Sequence, residues 1–515
     1  VDLFNLNFEH PDWALILPQL IVFLTAIALV LGDAFLPERS KFNALTGISL
    51  VGYGAALASL YWQRGKDDMT FQGSFRADGL TVFLSLIILI AAILSVLVSA
   101  NYIEYFEDRV PLGEYYILLA FSVVGALLVA GAGDMIMIFI GLELSSLATY
   151  VLTAYARRRV ESVEGALKYF LLGIFASAIL LYGMAWAYGL SGSTDLDGIR
   201  AGISEAVAGS EYMEASVLLA LLLLVVGLGF KIAAVPFHMW TPDAYEGAPT
   251  PVSAYMSVIP KAAGFAALIR ILVQALGPLA DDWTWLIAGL ALITMALGNF
   301  VALSQRNVKR MLAYSSIAHT GYMMVGLAAY QDGSVLGSQL GADGITALMY
   351  YMLAYAFMNI GAFAVLAWLQ ERGKGVMLDD LSGLAGTHPL AAVSMAVFMI
   401  SLMGIPPLIG FYAKYYVIVA AIEADMLWLA IAIVLMSALS AYFYLRVVFV
   451  MYFGQAPDAS TSAPARTVAT PLLNAALLIM VVGNLALGLF SQGIIDLGEE
   501  WNTALTLASN IPGVN

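Results

Sequence analysis

Fourteen runs of roughly twenty apolar residues, parted by short polar breaks, constrain this chain more than any other feature. They lie near 15–35, 44–62, 79–100, 115–132, 134–155, 166–190, 215–238, 251–275, 283–304, 311–330, 345–369, 390–422, 427–452 and 471–490. A helix crossing ~30 Å of hydrocarbon needs ~20 apolar residues. The runs are continuous, not alternating, so barrel strands are excluded. The chain is 61% hydrophobic and 11% charged over 515 residues, where globular chains carry about 45–50% apolar and about 25% charged residues. A water-soluble body is therefore excluded, and the fold class is an all-α integral membrane protein with about 14 transmembrane helices. Without cysteine, disulfides, iron–sulfur clusters, thiolate zinc sites and cysteine nucleophiles are impossible. The net charge of −14 disfavours nucleic acid as a partner.

An even number of spans puts both termini on one side. The loops of the opposite side carry twelve Lys and Arg residues, among them Arg39, Arg109, Arg157, Arg158, Arg159, Lys309, Arg310 and Arg466, against four on the terminus-bearing side. Cytoplasmic loops hold the excess of positive charge, so both termini are expected outside the cytoplasm. Acids, not a basic segment, precede the first run, which reads as a retained helix.

Of eight lysines, Lys168, Lys231, Lys261 and Lys414 fall inside apolar runs, together with Glu143. A charged group at a helix centre costs about 2.5–3.5 kcal/mol. The bland reading is a structural Glu–Lys pair with the remaining lysines snorkelling to the interface. Lys168 fits that reading best, four residues after Glu164. All five together point to a transport function.

Two of the runs are broken. Pro236 interrupts the first, with Lys231 before it and His238 after; Gly404, Pro406 and Pro407 interrupt the second, with Lys414 beyond them. Proline removes a helical hydrogen bond, and in lipid the freed carbonyls are tolerated only against protein or a water-filled cavity. Paired breaks in two halves of a chain point to a site at the membrane midplane. The breaks are about 170 residues apart, and a similar offset sets the segment starting at Asp134 against that starting at Asn307, with Glu143 opposite Ser316. Five spans per unit is odd, so a second copy inserts inverted. The reading divides the chain into an N-terminal three-helix segment (1–113), a first five-helix repeat (114–281), a second, inverted one (282–453) and a C-terminal helix and tail (454–515), each repeat holding a Pro-broken helix. His238 and His319 suit proton relays, since imidazole titrates near neutral pH; a bis-histidine haem pair is the alternative. The tyrosines read mostly as packing or interfacial anchors.

The segment KIAAVPFHMWTPDAYEGAPTPVSAYMS (231–257), with FIGLELSSLATYVL (139–152), GALKYFLLGIFASAILLYGMAWAYGLSGST (165–194) and RNVKRMLAYSSIAHTGYMM (306–324), resembles the antiporter-like proton-translocating subunits of respiratory complex I and related cation/proton antiporters. Among these, PFHMWTPDAYEGAP and ALKYFLLG most resemble subunit N. The resemblance implies a proton channel in a bacterial inner membrane, with no redox cofactor of its own. FMN, iron–sulfur clusters and quinone are then expected in partner subunits, and other membrane subunits of the complex as neighbours. It also implies that Glu143 is the fifth-helix glutamate, Lys231 the lysine of the first broken helix, Lys261 the eighth-helix lysine and Lys414 the residue of the second break. Lys168, His238 and His319 match supporting positions, Lys168 as a residue that tunes Glu143. A monovalent cation/proton antiporter, or a ferredoxin- or hydrogenase-linked complex, is the alternative.

Overall fold

A chain segment in hydrocarbon has no water to bond its N–H and C=O groups, and a helix satisfies them internally. The computed structural model describes residues 10–104, 112–209, 211–330, 343–455 and 470–496; Arg109, Arg466 and the end of the 454–515 segment lie outside them. The first half contains α1 (Leu17–Phe35), α2 (Glu38–Ser59), the hairpin β1 (Asp68–Thr70) and β2 (Phe75–Ala77), α3 (Gly79–Glu104), α4 (Leu112–Ala130), α5 (Met135–Thr153) and α6 (Val160–Ser191). Next come α7 (Leu196–Gly209), α8 (Glu211–Ile232), α9 (Trp240–Gly247), α10 (Thr250–Ile269), α11 (Ala280–Ser304) and α12 (Val308–Ala328). The last elements are α13 (Gly344–Glu371), the single turn α14 (Leu384–Thr387), α15 (Pro389–Met403), α16 (Ile409–Glu423), α17 (Leu427–Phe453) and α18 (Pro471–Leu489).

Among the described residues, twelve helices are long and apolar enough to cross a membrane. With α12, which is more polar, and the interrupted pair α15–α16, they account for the apolar runs of the sequence. Both breaks are real helix ends. The run at 215–238 stops being helical after Ile232, and the over-long run at 390–422 parts after Met403. At the second break Gly404 takes φ +92°, the left-handed C-cap conformation that an L side chain rarely adopts. α7 was not expected. Its buried Leu196, Ile199, Ile203 and Ala206 recur every three to four residues, opposite exposed Asp197, Ser204 and Glu205, the pattern of an amphipathic helix lying on a core.

α10 and α13 are buried along nearly their whole length and form the axis against which α3 and most other helices pack. The same backbone clasp occurs twice. Asp134 caps α5, and Met135 N donates to Thr194 O (2.9 Å) while Leu196 N donates to Gly133 O (3.0 Å). Asn307 caps α12, and Val308 N donates to Val376 O (2.9 Å) while Leu378 N donates to Arg306 O (2.9 Å). The two cap residues stand 173 positions apart.

Two basic residues inside apolar runs escaped the sequence reading: Arg446 of α17, whose guanidinium donates to Leu303 O (3.0 Å) and to Gln305 O, and Arg270. Arg270, at the end of α10, is fully buried, and its guanidinium grips Asp78 through Nη1–Oδ2 (2.6 Å) and Nη2–Oδ1 (2.7 Å). Nη2 also donates to Thr81 Oγ1 (2.7 Å) and to Ala130 O (3.0 Å). Burial pushes the Asp78 carboxyl up, but the charge and hydrogen bonds of Arg270 outweigh it and hold the group below the usual carboxylate range. This fork ties the hairpin, α3, α4 and α10 together at one end of the bundle. Arg76 Nε stands farther off, 3.6 Å from Asp78 Oδ2, so removing Arg270 leaves the buried carboxylate with only that longer pair, at a cost of up to about 3–5 kcal/mol. Arg270→Leu is accordingly expected to abolish or sharply reduce assembled protein in native gels of solubilised membranes, whereas Arg270→Leu with Asp78→Leu recovers much of it.

The cysteine-free sequence offers a direct test of orientation at the two ends of α11, where Asp281 and Arg306 are exposed. A membrane-impermeant maleimide is expected to label Asp281→Cys in intact cells and Arg306→Cys only after permeabilisation. The reverse pattern contradicts the charge-bias orientation.

Candidate functional site

α5 presents an outward stripe in which Ile136, Ile140 and Leu147 are exposed, and Glu143 stands in that stripe. Lys231 reaches it from inside, in the last turn of α8. Lys231 Nζ donates to Glu143 Oε1 (2.9 Å), Ser146 Oγ (2.9 Å) and Ser177 Oγ (3.2 Å), and Ser177 Oγ donates to the same carboxylate oxygen at 2.5 Å. The side chains are 5% and 22% exposed respectively, so the ammonium is interior and the carboxylate borders the lateral surface. Three neutral or charged oxygens take the three ammonium protons, which is full satisfaction.

The break beyond Lys231 is held by protein. Ala233 takes φ +62°, turning the chain out of the helix. Trp240 Nε1 donates to Phe230 O (3.1 Å), Thr320 Oγ1 to Ile232 O (3.0 Å), and Val235 N to Thr294 Oγ1 (3.0 Å). α9, α11 and α12 thus bind the broken end that follows α8. α10 lies against the same point: a Cβ on Gly264 would stand 2.7 Å from Ile232 Cγ2, so the close approach requires glycine.

Lys261 is on that face of α10, three residues before Gly264. Its Nζ donates to Ser316 O (2.8 Å), Ser316 Oγ (2.6 Å) and Thr320 Oγ1 (2.8 Å). Glu143 and Ser316 each lie nine residues after their helix cap, and each receives an ammonium, so the offset read from sequence sets two lysine partners in register. One turn along α12, His319 is 1% exposed and engaged at both nitrogens, Nδ1 with Tyr351 Oη (2.8 Å) and Nε2 with Tyr444 Oη (3.1 Å). Tyr444 Oη also bonds Ser315 Oγ. Tyr322 stands between His319 (ring centroids 5.6 Å apart) and Lys414, whose Nζ is 5.0 Å from the Tyr322 centroid. Lys414 Nζ donates to Met403 O (2.9 Å), the last residue of α15. It thereby caps the negative end of a helix dipole.

Five of the seven residues read as functional therefore fall in one line: Glu143 at the lateral surface, then the buried Lys231, Lys261, His319 and Lys414. Lys168 is not part of it. Its Nζ pairs with Glu164 (2.6 Å) and Asp243 (2.7 Å) at 44% side-chain exposure. Nine residues separate it from Ser177 along α6, about 13 Å at the helical rise, so it makes no contact with Glu143 and cannot tune it directly. His238 lies half-buried beyond the first break, its Nδ1 without a hydrogen-bond partner. Two tyrosines that the sequence reading did not single out, Tyr351 and Tyr444, are the bonding partners of His319. A further cluster was missed: Asp243 and Glu246 of α9 both pair with Arg310 (2.7 Å each), and Lys309 Nζ donates to Glu246 O (3.0 Å) and Ala248 O (2.5 Å). It fastens α9 to α12. Its signal was the acid pair in WTPDAYEG beside the basic start of α12.

Residues 132–440 match the transmembrane family described as NADH:quinone oxidoreductase/Mrp antiporter. The chain is 42% identical over 501 residues to NADH-quinone oxidoreductase subunit N of Trichlorobacter lovleyi, covering 96% of this chain and 97% of the relative. It is 41% identical to NADH-quinone oxidoreductase subunit N 2 of Rhizobium meliloti, covering 95% and 98%. A chain of respiratory complex I from Thermus thermophilus superimposes with a TM-score of 0.75 at 34% identity, covering 94% and 99%. A chain of the Mrp complex from Dietzia sp. shares the fold, with a TM-score of 0.78 at 22% identity, covering 95% and 98%.

Proposed function

The chain belongs to the NADH:quinone oxidoreductase/Mrp antiporter transmembrane family, and from this we propose that it is the N-type proton-translocating subunit of a bacterial NADH:quinone oxidoreductase. The observation that carries the mechanism is the line from Glu143, at the lateral surface, through the buried Lys231, Lys261 and His319 to Lys414, with a carboxylate only at its first member; in our reading it crosses from one five-helix unit (114–281) to the other (282–453). Redox chemistry is assigned to partner subunits carrying FMN and iron–sulfur clusters and reducing quinone. The two termini face away from the cytoplasm.

Lys231 is the carrier. With Glu143 ionised at 2.9 Å, the ammonium is favoured. When the carboxylate is neutralised or drawn outward, only Ser146 and Ser177 remain, and neutral hydroxyls stabilise a buried cation far less. The proton then leaves toward Lys261. Thr320 and Ile232 O bridge that gap without offering a complete wire, since a carbonyl has no proton to pass on, so water must close it. His319 relays without turning its ring. A neutral imidazole has one N–H and one acceptor nitrogen, and both here face tyrosine hydroxyls, so a proton taken on one nitrogen is released from the other. Lys414 receives it against the end of α15. Glu143, at the lateral surface, is where a neighbouring membrane subunit acts on the pair.

In the whole complex, Lys231→Ala and Glu143→Ala are expected to leave assembly intact while lowering NADH-driven quinone reduction and proton translocation about tenfold or more. Glu143→Asp, which keeps the charge, is expected to be milder. Full proton stoichiometry in Lys231→Ala overturns the carrier assignment. Proton flux driven by a Na⁺ or K⁺ gradient, with no flavin, iron or NADH activity in the purified material, moves the reading to a cation/proton antiporter.

A further inference from the structure

Lys261 differs from Lys231 in the chemistry of what holds it. All its partners are neutral oxygens: a backbone carbonyl and a hydroxyl from Ser316 and the hydroxyl of Thr320, at 2.6–2.8 Å from one point. The Thr320 hydroxyl has a single proton, whose acceptors are Ile232 O (3.0 Å) and Ser316 O (3.1 Å), so toward the ammonium Oγ1 offers lone pairs. Ser316 and Thr320 are one turn apart on α12, and the Ile232 carbonyl is the last of α8 before the break. Three neutral oxygens of one helix converge on that point without a carboxylate, and the freed Ile232 carbonyl at the break braces one of them; oxygens gathered beside a broken helix are the setting in which transport proteins hold monovalent cations.

We propose that the Ser316 carbonyl and hydroxyl and the Thr320 hydroxyl, the last braced by the Ile232 carbonyl, form a monovalent-cation seat whose tethered occupant is the Lys261 ammonium, and that Lys261 thereby excludes K⁺-sized ions from the line and keeps it for protons. The consequence for transport rests on the proton-line reading above; the seat itself does not. Truncating the lysine opens the position of Nζ while leaving the oxygens where they are, so a free ion of ammonium size enters in its place.

The probe is radiolabelled Rb⁺, a K⁺ substitute, in equilibrium dialysis of the purified whole complex against N-methylglucamine buffer. Lys261→Ala is expected to bind one Rb⁺ per complex above the wild-type level, and adding Thr320→Val is expected to remove that excess. No excess Rb⁺, or an excess that survives Thr320→Val, overturns the seat. Lys261→Ser, which returns an oxygen to the position, is the second variant. A cytoplasm rich in K⁺ supplies an occupant during assembly, so failure of both variants to assemble also overturns it. Rb⁺ counting does not involve turnover. An Rb⁺ excess in Lys261→Ala beside unimpaired pumping in Lys231→Ala would leave the seat standing and remove the proton line.

Discussion

An ammonium in the middle of a bilayer has no water to bond, so the protein must hand it oxygens, and where those oxygens come from determines how the helices are arranged. For Lys231 they come from Glu143 and Ser146 of α5 and Ser177 of α6, which pins three helices around one nitrogen. For Lys261 they come from α12, which fastens that helix to α10. For Lys414 the acceptor is the end of α15, so the second broken helix is bonded to the lysine on its own continuation. Each lysine is deeply buried; Lys231 and Lys261 each have three oxygen acceptors, whereas Lys414 has the Met403 carbonyl and the face of Tyr322. Only the first has a counter-charge, and only there does moving one side chain change the electrostatics of the line at a stroke.

The breaks arise from the same requirement. Ending α8 at Ile232 exposes carbonyls that Trp240 and Thr320 then occupy, and ending α15 at Met403 exposes one that Lys414 occupies. The freed carbonyls are bonded by side chains of α9, α12 and α16, and Thr294 of α11 takes Val235 N beyond the first break. Beyond the first break, Asp243 and Glu246 hold α9 to Arg310, while Arg270 and Asp78 lock the opposite end of the bundle. The titratable line runs between these two fastened ends.

Much of this was legible in the residues. A lysine in an apolar run is conspicuous, and so is a proline in one, so Lys231, Lys261, Lys414 and both breaks could be found without coordinates. The 173-residue offset was legible because the caps Asp134 and Asn307 are polar residues at the heads of apolar helices, each nine positions before the residue that meets a lysine. Tyr322, Tyr351 and Tyr444 were not, because a tyrosine in a membrane helix has the same composition signal whether its hydroxyl meets a histidine, a carbonyl or the interface. Arg270 hid at the end of its run, where a basic residue passes for an interfacial anchor; only its meeting with Asp78, far off in sequence, shows that it is buried. Lys168 was read through its helix position, which cannot show that Asp243 of α9 lies closer to it than Glu143. α7 was lost among longer and more apolar neighbours.

The most direct measurement of the central pair is the infrared difference spectrum of the membrane-reconstituted complex, NADH-reduced minus oxidised, in the region of carboxyl and carboxylate bands. If Glu143 is neutralised or displaced when electrons pass, a difference band should vanish in Glu143→Gln and shift in Glu143→Asp, and the Glu143 band should be altered in Lys231→Ala. A spectrum unchanged by Glu143→Gln in a complex that still reduces quinone would show that the carboxylate does not move with electron transfer, and Lys231 would then lack the switch assigned to it.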